Sequence, residues 1–477
     1  MNIFPELRTK PDVLNAGRDE ELIGGKYSTL RHLTDHLNRA GRGGEEISGL
    51  WRPVYAWYRE NEAELTEMVE RGLRFENKIP NLSRERARML FRDRHGERTL
   101  SPSRLESYSR CPFSYFVDFG LAPRERRVYE AAGREIGDVY HHCIMNLTEK
   151  LSREGLWDTI TDEDCRRLVS EAVAAETKDY REGLFRFGNR ERYRARRMEE
   201  VCFETLRMLV RQARAGKIAK SSYEVRFGRG AEIKPIELEI DGQKIFIEGQ
   251  IDRVDILGNG RLKIIDYKSG KRILKTDEIR AGYSLQLMVY LEAAGEKSRK
   301  PGGVFYFHIS EPRVDADGIS DEGAFVDRTD DAAGADNQNE FMSAPDDQAA
   351  DLLSDPLHKL IADGLRESFR LNGLLVDDPE TVEEIAGDFS EKSDVVDSVK
   401  RLKNGKFSGS ALISEADFEG LRKDVAEKLE EICRSLLKGE IGITPMQIKD
   451  KTACDYCANR SICRFDTAFK GCSYRKI

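Results

Sequence analysis

The feature that most constrains this chain is "KIFIEGQIDRVDILGNGRLKIIDYKSG", residues 244–270. Two apolar, β-branched runs flank the turn tripeptide Gly258-Asn259-Gly260, a pattern that predicts adjacent antiparallel strands. Side chains alternate along a strand, so Asp266 and Lys268 project from one face. Leu262, Ile264 and Ile265 mark the second strand as largely buried, and a charge in such a place needs a partner or a metal. Asp252, on the preceding strand, comes within reach across the turn. Asp252 and Asp266 are therefore candidates to share one divalent cation, which would reverse the sign of their repulsion, with Lys268 facing a water or a phosphate.

The flanking sequence predicts an α/β fold with a central mixed β-sheet flanked by helices. "YEVRFG" and "IELEI", a turn at Asp241-Gly242 and the long run above read as a meander of three or four strands. "DEIRAGYSLQLMVYLEAAG" reads as one helix, and "GGVFYFHI" as a returning strand that a helical crossover would make parallel to the strand of Asp266. Upstream, residues 1–98 have helical apolar spacing. "LSPSRLESYSRCPFSYFVDFGL" opens at 100 with the helix-start pair Ser101-Pro102, and helical patterns run on to about 220. Residues 311–355 are rich in Asp, Gly, Ala and Asn and read as a disordered acidic insertion. Helices are expected to resume from 356 to 439.

With 477 residues, 39% of them hydrophobic, the chain can build two or three domains. A formal charge of -8 means that an anionic partner must be held by a local basic patch. The arginines around Arg194, Arg196 and Arg197, interleaved with Phe185, Phe187 and Tyr193, are the candidate, and a solvated helix face is the alternative. No stretch has the apolar length of a membrane span and the N-terminus lacks a secretory pattern, so a cytoplasmic location is expected. "IGGKYST" lacks the Ser or Thr that a phosphate loop needs after its lysine. Nine cysteines in a reducing compartment are read as metal ligands before disulfides.

An acid on one strand followed by Asp266-Tyr267-Lys268 on the next resembles the PD-(D/E)XK nuclease core. Two further motifs are similar to its RecB-like branch. "GREIGDVYHHCI" carries a histidine at the spacing of a metal ligand on the first helix, which selects His141 with His142 as the alternative. Neighbouring helical residues diverge by ~100°, so one of the two faces the metal. "YSLQLMVYL" places Gln286 and Tyr290 four residues apart, matching Q-x-x-x-Y. The resemblance implies that His141, Asp252, Asp266 and the Tyr267 carbonyl hold one or two Mg²⁺ (or Mn²⁺) ions, that Lys268 is catalytic, and that Gln286 and Tyr290 contact DNA near the scissile phosphate.

"CDYCANRSIC" supplies Cys454, Cys457 and Cys463, without a second C-x-x-C knuckle to make a zinc ribbon. The fourth ligand is open among Cys111, Cys143, Cys165, Cys202, Cys433 and Cys472, with Cys111 set apart by Pro112. One cysteine before the nuclease motifs and three after them resembles the iron-sulfur staple of the AddB family, one of the two chains of AddAB-type helicase-nucleases. That likeness implies a 4Fe-4S cluster on Cys111, Cys454, Cys457 and Cys463. It implies that residues 1–98 are a remnant of a preceding helicase-like region and 99–477 the nuclease domain. It also implies an exonuclease acting on single-stranded DNA ends, with an AddA-type partner, in repair and recombination. The alternatives are a CRISPR-associated RecB-like exonuclease, which shares the motifs and the staple, and a non-catalytic scaffold that binds DNA ends.

Overall fold

Asp241 and Gly242 both take positive φ, 52° and 70°, which is the two-residue turn whose twist suits a hairpin. They join the strands Ile236–Ile240 and Gln243–Ile247, and Thr99–Leu100 pairs parallel to the second of these in a small three-stranded sheet. The long strand expected from Lys244 to Leu257 is thus two strands, broken at Glu248. At the break the Glu248 carboxylate accepts from the backbone N–H and the Nε of Arg229, at 3.1 and 2.7 Å. At Gly249 a Cβ would lie 2.9 Å from the Phe227 ring.

The computed structural model describes residues 22–41, 46–47, 49–91, 99–123, 133–178, 180–181, 183–186, 188–270, 272–295, 299–309, 364–467, 469 and 471–477. The expected insertion at 311–355 lies outside them. The chain divides into two units, one made of Met1–Ala87, Arg110–Ala122 and Lys438–Ile477, the other of Arg88–Ser109 and Pro123–Leu437.

The second unit is built on a six-stranded sheet. Its strands are β1 (Ile218–Phe227), β2 (Gly249–Leu257), β3 (Leu262–Lys268), β4 (Pro301–His308), β5 (Asn372–Val376) and β6 (Leu412–Ile413), in the order β6-β5-β4-β3-β2-β1. β1, β2 and β3 are antiparallel neighbours, and β4 lies parallel to β3 with Asp266 opposite Tyr306. The crossover between β3 and β4 carries α4 (Gln286–Ala294), as expected of a parallel pair. Before the sheet come α1 (Gly133–Glu154), α2 (Asp162–Lys178) and α3 (Asn189–Ala215). They bury Val139, Ile144, Val173, Leu206 and Leu209 with Ile265, Tyr267, Phe305 and Phe307 of the sheet. α4 packs on β3 and β4 from the other face, the face of Asp266, and α5 (Glu415–Leu437) packs on α4.

Two sequence expectations are revised here. The predicted helix around Gln286 is interrupted: Thr276–Arg280 ends before Gly282, whose φ is +81°, and a Cβ there would collide with Ser109 Oγ. α4 therefore begins at Gln286 itself. "NGLLVDD" falls within the stretch expected to be helical, yet its buried Leu374, Leu375 and Val376 form β5 and extend the sheet.

The first unit packs the helices Lys26–Gly41, Trp51–Asn61 and Ala63–Leu73 around Leu33, Trp51 and Tyr58. A second small core gathers Cys111, Phe113, Val117, Ile443, Phe465 and Cys472. Among the described residues no helix is long and apolar enough to cross a membrane.

Candidate functional site

Asp252 and Asp266 stand on adjacent strands with their carboxylates buried, 9% and 1% exposed. Asp252 Oδ2 accepts the backbone N–H of Tyr267 at 2.8 Å, which fixes it against β3. His141 reaches the same atom from α1, with Nε2 at 3.1 Å. His142 points elsewhere, its Nδ1 3.6 Å from Glu176 on α2 and its side chain 52% exposed. Between the two histidines the geometry therefore places His141 at the acids. The Tyr267 ring lies behind the site, buried and edge-on to His141 at 6.2 Å.

Lys268 shares the face of Asp266, as strand alternation requires, with Nζ 2.5 Å from Asp266 Oδ2. The same ammonium donates to Gln286 Oε1 at 3.0 Å. Gln286 Nε2 in turn donates to the Tyr290 hydroxyl at 2.7 Å. The Q-x-x-x-Y pair thus forms a brace behind the lysine. Tyr290 is buried and packs edge-on against Phe227.

Sequence reasoning missed Glu224. It sits on β1 at a positive φ of 51°, an uncommon conformation for a non-glycine residue that marks stored backbone strain. Its Oε1 is 4.0 Å from His141 Nδ1. His141, Glu224 and Asp252 bring one ligand atom each within 4.8 Å of one another. The only signal in the sequence was a lone glutamate in "YEVRFG", and glutamates on strands are common.

The electrostatics are those of acids crowded together in a buried place. Burial, then the charge of Asp252, pushes the Asp266 carboxyl up to about 7, against the opposing pull of Lys268 and Arg272. Burial also raises Glu224, with Asp252 adding to it. Burial alone would lower His141, but its hydrogen bond to Asp252 and the charges of Asp252, Glu224 and Asp266 outweigh that and raise it. All three groups shift toward the protonated form, as expected where too much negative charge is buried. A divalent cation fits this donor set of one imidazole and hard carboxylate oxygens, and His141, Asp252, Asp266 and Glu224 are the residues that would hold it.

The four cysteines come together in the first unit. Cys111 is extended, φ -161° and ψ 112°, at the start of the short helix Pro112–Tyr115, because a residue before proline is kept out of the helical region. Cys454 and Cys457 lie in the turns after the strand Lys451–Thr452, and Cys463 ends the helix Arg460–Cys463. Burial raises the Cys111 thiol, and the backbone N–H groups of Ser114 and Phe113 partly offset this while Cys457 and Cys463 add to it. Burial pushes Cys454 up to about 11, and the charges of Cys111, Cys457 and Cys463 contribute. Cys454 and Cys463 pack against the core that buries Cys111, Cys457 Sγ lies 3.8 Å from Ser114 Oγ, and these four thiols are the residues that would hold a cluster of the kind the sequence resemblance implies. Cys472, a candidate fourth ligand from sequence, is 7% exposed in the same apolar core.

A mixed sheet that sets an acid and an acid-x-lysine on neighbouring strands, with a histidine brought in from the helix before it, defines the class as a nuclease fold. The chain belongs to the PD-(D/E)XK nuclease superfamily, which it matches over residues 99–464. Residues 15–71 match the fifth domain of the ATP-dependent helicase/deoxyribonuclease AddB. Over its whole length the chain is similar to proteins named as the B subunit of an ATP-dependent helicase/deoxyribonuclease. The one from Alkaliphilus oremlandii is 30% identical over 492 residues, covering 100% of this chain and 39% of that relative. Those from Clostridium acetobutylicum and Clostridium kluyveri are each 28% identical, with 39% and 40% of their lengths covered. The chain thus spans about two fifths of the length of these relatives.

Proposed function

We propose that this chain hydrolyses phosphodiester bonds in DNA, as the nuclease part of an AddB-like protein that trims single-stranded ends during double-strand-break processing. The observation that carries the reading is the Lys268 ammonium, held between Asp266 and Gln286 at 2.5 and 3.0 Å on the face shared with Asp252. A lysine fixed at two points is pre-oriented toward the charge that develops on phosphorus-bound oxygens, and it needs no reorganisation during the reaction. A Mg²⁺ ion, when bound, lowers the pKa of a ligated water and polarises the phosphoryl oxygen. Asp252, fixed to the Tyr267 N–H, and His141 keep the carboxylate cluster in register. Tyr290 and Gln286 stop the lysine from turning away. Water adds to phosphorus, the bond to the leaving ribose oxygen breaks, and the leaving oxygen takes up a proton.

Delivery of ends by an AddA-type motor partner is part of this reading, and rests on the similarity to the helicase/deoxyribonuclease relatives. DNA would be gripped through the exposed Arg192, Tyr193, Arg196 and Arg197 of α3. In the same run Arg192 donates to Asn189 Oδ1 at 2.6 Å, Arg207 lies 2.7 Å from Glu204 and Arg211 3.8 Å from Asp394.

The test is end-labelled single-stranded DNA incubated with the purified chain and Mg²⁺, beside Asp266→Ala and Lys268→Ala. Cleavage by the wild type, lost in both variants while DNA binding stays within a few-fold, is expected. Strong residual cutting by either variant overturns the site assignment.

A further inference from the structure

α4 begins without a cap of its own: the residue before Gln286 is Leu285, whose side chain offers no acceptor. The first N–H groups of a helix have no partner within it and need one from elsewhere. Here the partner comes from far away in sequence. Glu106, on the helix Pro102–Arg110, is 4% exposed. Its Oε1 accepts the backbone N–H of Leu285 at 2.8 Å and that of Gln286 at 3.0 Å. A carboxylate at this end also complements the helix dipole.

The consequence runs to the chemistry. Gln286 is the first residue of α4, and its side chain is the second of the two fixed points of Lys268. The Arg272 guanidinium lies 5.8 Å from the centroid of the Tyr306 ring, and against the lowering effect of burial the charges of Glu106 and Asp266 both raise its pKa. We propose that Glu106 is a positioning residue for the nuclease reaction, setting the Lys268 ammonium through the first turn of α4. It touches neither metal nor substrate. The proposal rests on the nuclease reading of the site.

Glu106→Ala removes both acceptor contacts, whereas Glu106→Gln keeps a carbonyl oxygen that accepts the same two N–H groups. Expected on single-stranded DNA with Mg²⁺ is a fall in kcat of about 10- to 100-fold for Glu106→Ala with KM within about threefold, the scale of a misplaced catalytic group. Glu106→Gln is expected to recover to within about fivefold. In a Gln286→Ala background, Glu106→Ala should cost less than about twofold more, because the two act in series. A merely structural glutamate would give additive losses, and that result overturns the proposal. A second readout needs no cleavage: hydrogen exchange at the amides of Leu285 and Gln286 should speed up in Glu106→Ala and stay slow in Glu106→Gln, with Leu291 and Ala293 unchanged. Unchanged exchange at 285 and 286 refutes the positioning claim whatever the activity. A wild type that fails to cut while those amides behave as expected refutes the nuclease reading alone.

Discussion

His141 Nε2 and Asp252 Oδ2 stand 3.1 Å apart, one on α1 and the other on β2. With Glu224 on β1 they join three separate elements at one point. Loss of one donor should therefore weaken the hold on a divalent cation sharply. His141→Ala and Glu224→Gln are each expected to lower Mn²⁺ affinity by at least ~10-fold, the scale seen even for residues behind the ligands. His142→Ala should leave it unchanged, since that ring turns to Glu176. Isothermal titration with Mn²⁺ in the absence of DNA measures this. Equal losses from His141→Ala and His142→Ala would remove the basis for choosing between them.

The raised Asp266 carboxyl carries a pH signature. Its folded pKa is about 7, against ~3.9 for an aspartate in an unfolded chain. Between those values the folded protein holds a proton that the unfolded chain has released. Stability from this group therefore falls as pH rises through that window, by up to ~1.4 kcal/mol per pH unit at the steepest. Asp266→Asn should flatten the slope, and Mg²⁺ should oppose it by binding the ionised carboxylate. Urea melts of both proteins from acid to neutral pH, with chelator and then with Mg²⁺, read the difference. Parallel curves for wild type and variant in chelator would sink the idea.

The parts of this site that depend on period two were legible in the sequence. Asp266 and Lys268 had to share a face, and the turn tripeptide had to bring Asp252 beside them, because strand geometry leaves no other register with the apolar residues inside. Asp241-Gly242 was legible for the same local reason. Glu224 was not, since its place depends on a positive φ in the middle of β1 that no neighbouring residue announces. Nor was Glu106, whose partners lie 179 and 180 residues away in the chain. The break at Gly282 was hidden too: a glycine inside a helical pattern is usually tolerated, and here it takes a φ of +81° with no room for a Cβ beside Ser109. For Glu106 and for the break at Gly282, contacts of long sequence separation were the missing information.

The cysteines give the last prediction. Cys111 and Cys472 are both buried, 9% and 7% exposed, in one apolar core, so trimming either loses packing and a melting temperature alone does not identify a ligand. Metal content does. Anaerobically purified wild type is expected to carry about four iron and four sulfide per chain, as a 4Fe-4S cluster on four cysteine ligands requires. Cys111→Ser should lose both together with the visible absorbance, and Cys472→Ser should keep them. Stability should follow, because Cys111 and Cys454 flank nearly the whole second unit in sequence. A link between them closes a very long loop, worth ~5 kcal/mol on chain entropy alone. Cys111→Ser should therefore melt well below Cys472→Ser when both are purified anaerobically. Zinc without sulfide in the wild type would end the iron-sulfur assignment, and loss of iron from Cys472→Ser would put Cys472 in place of one of the four.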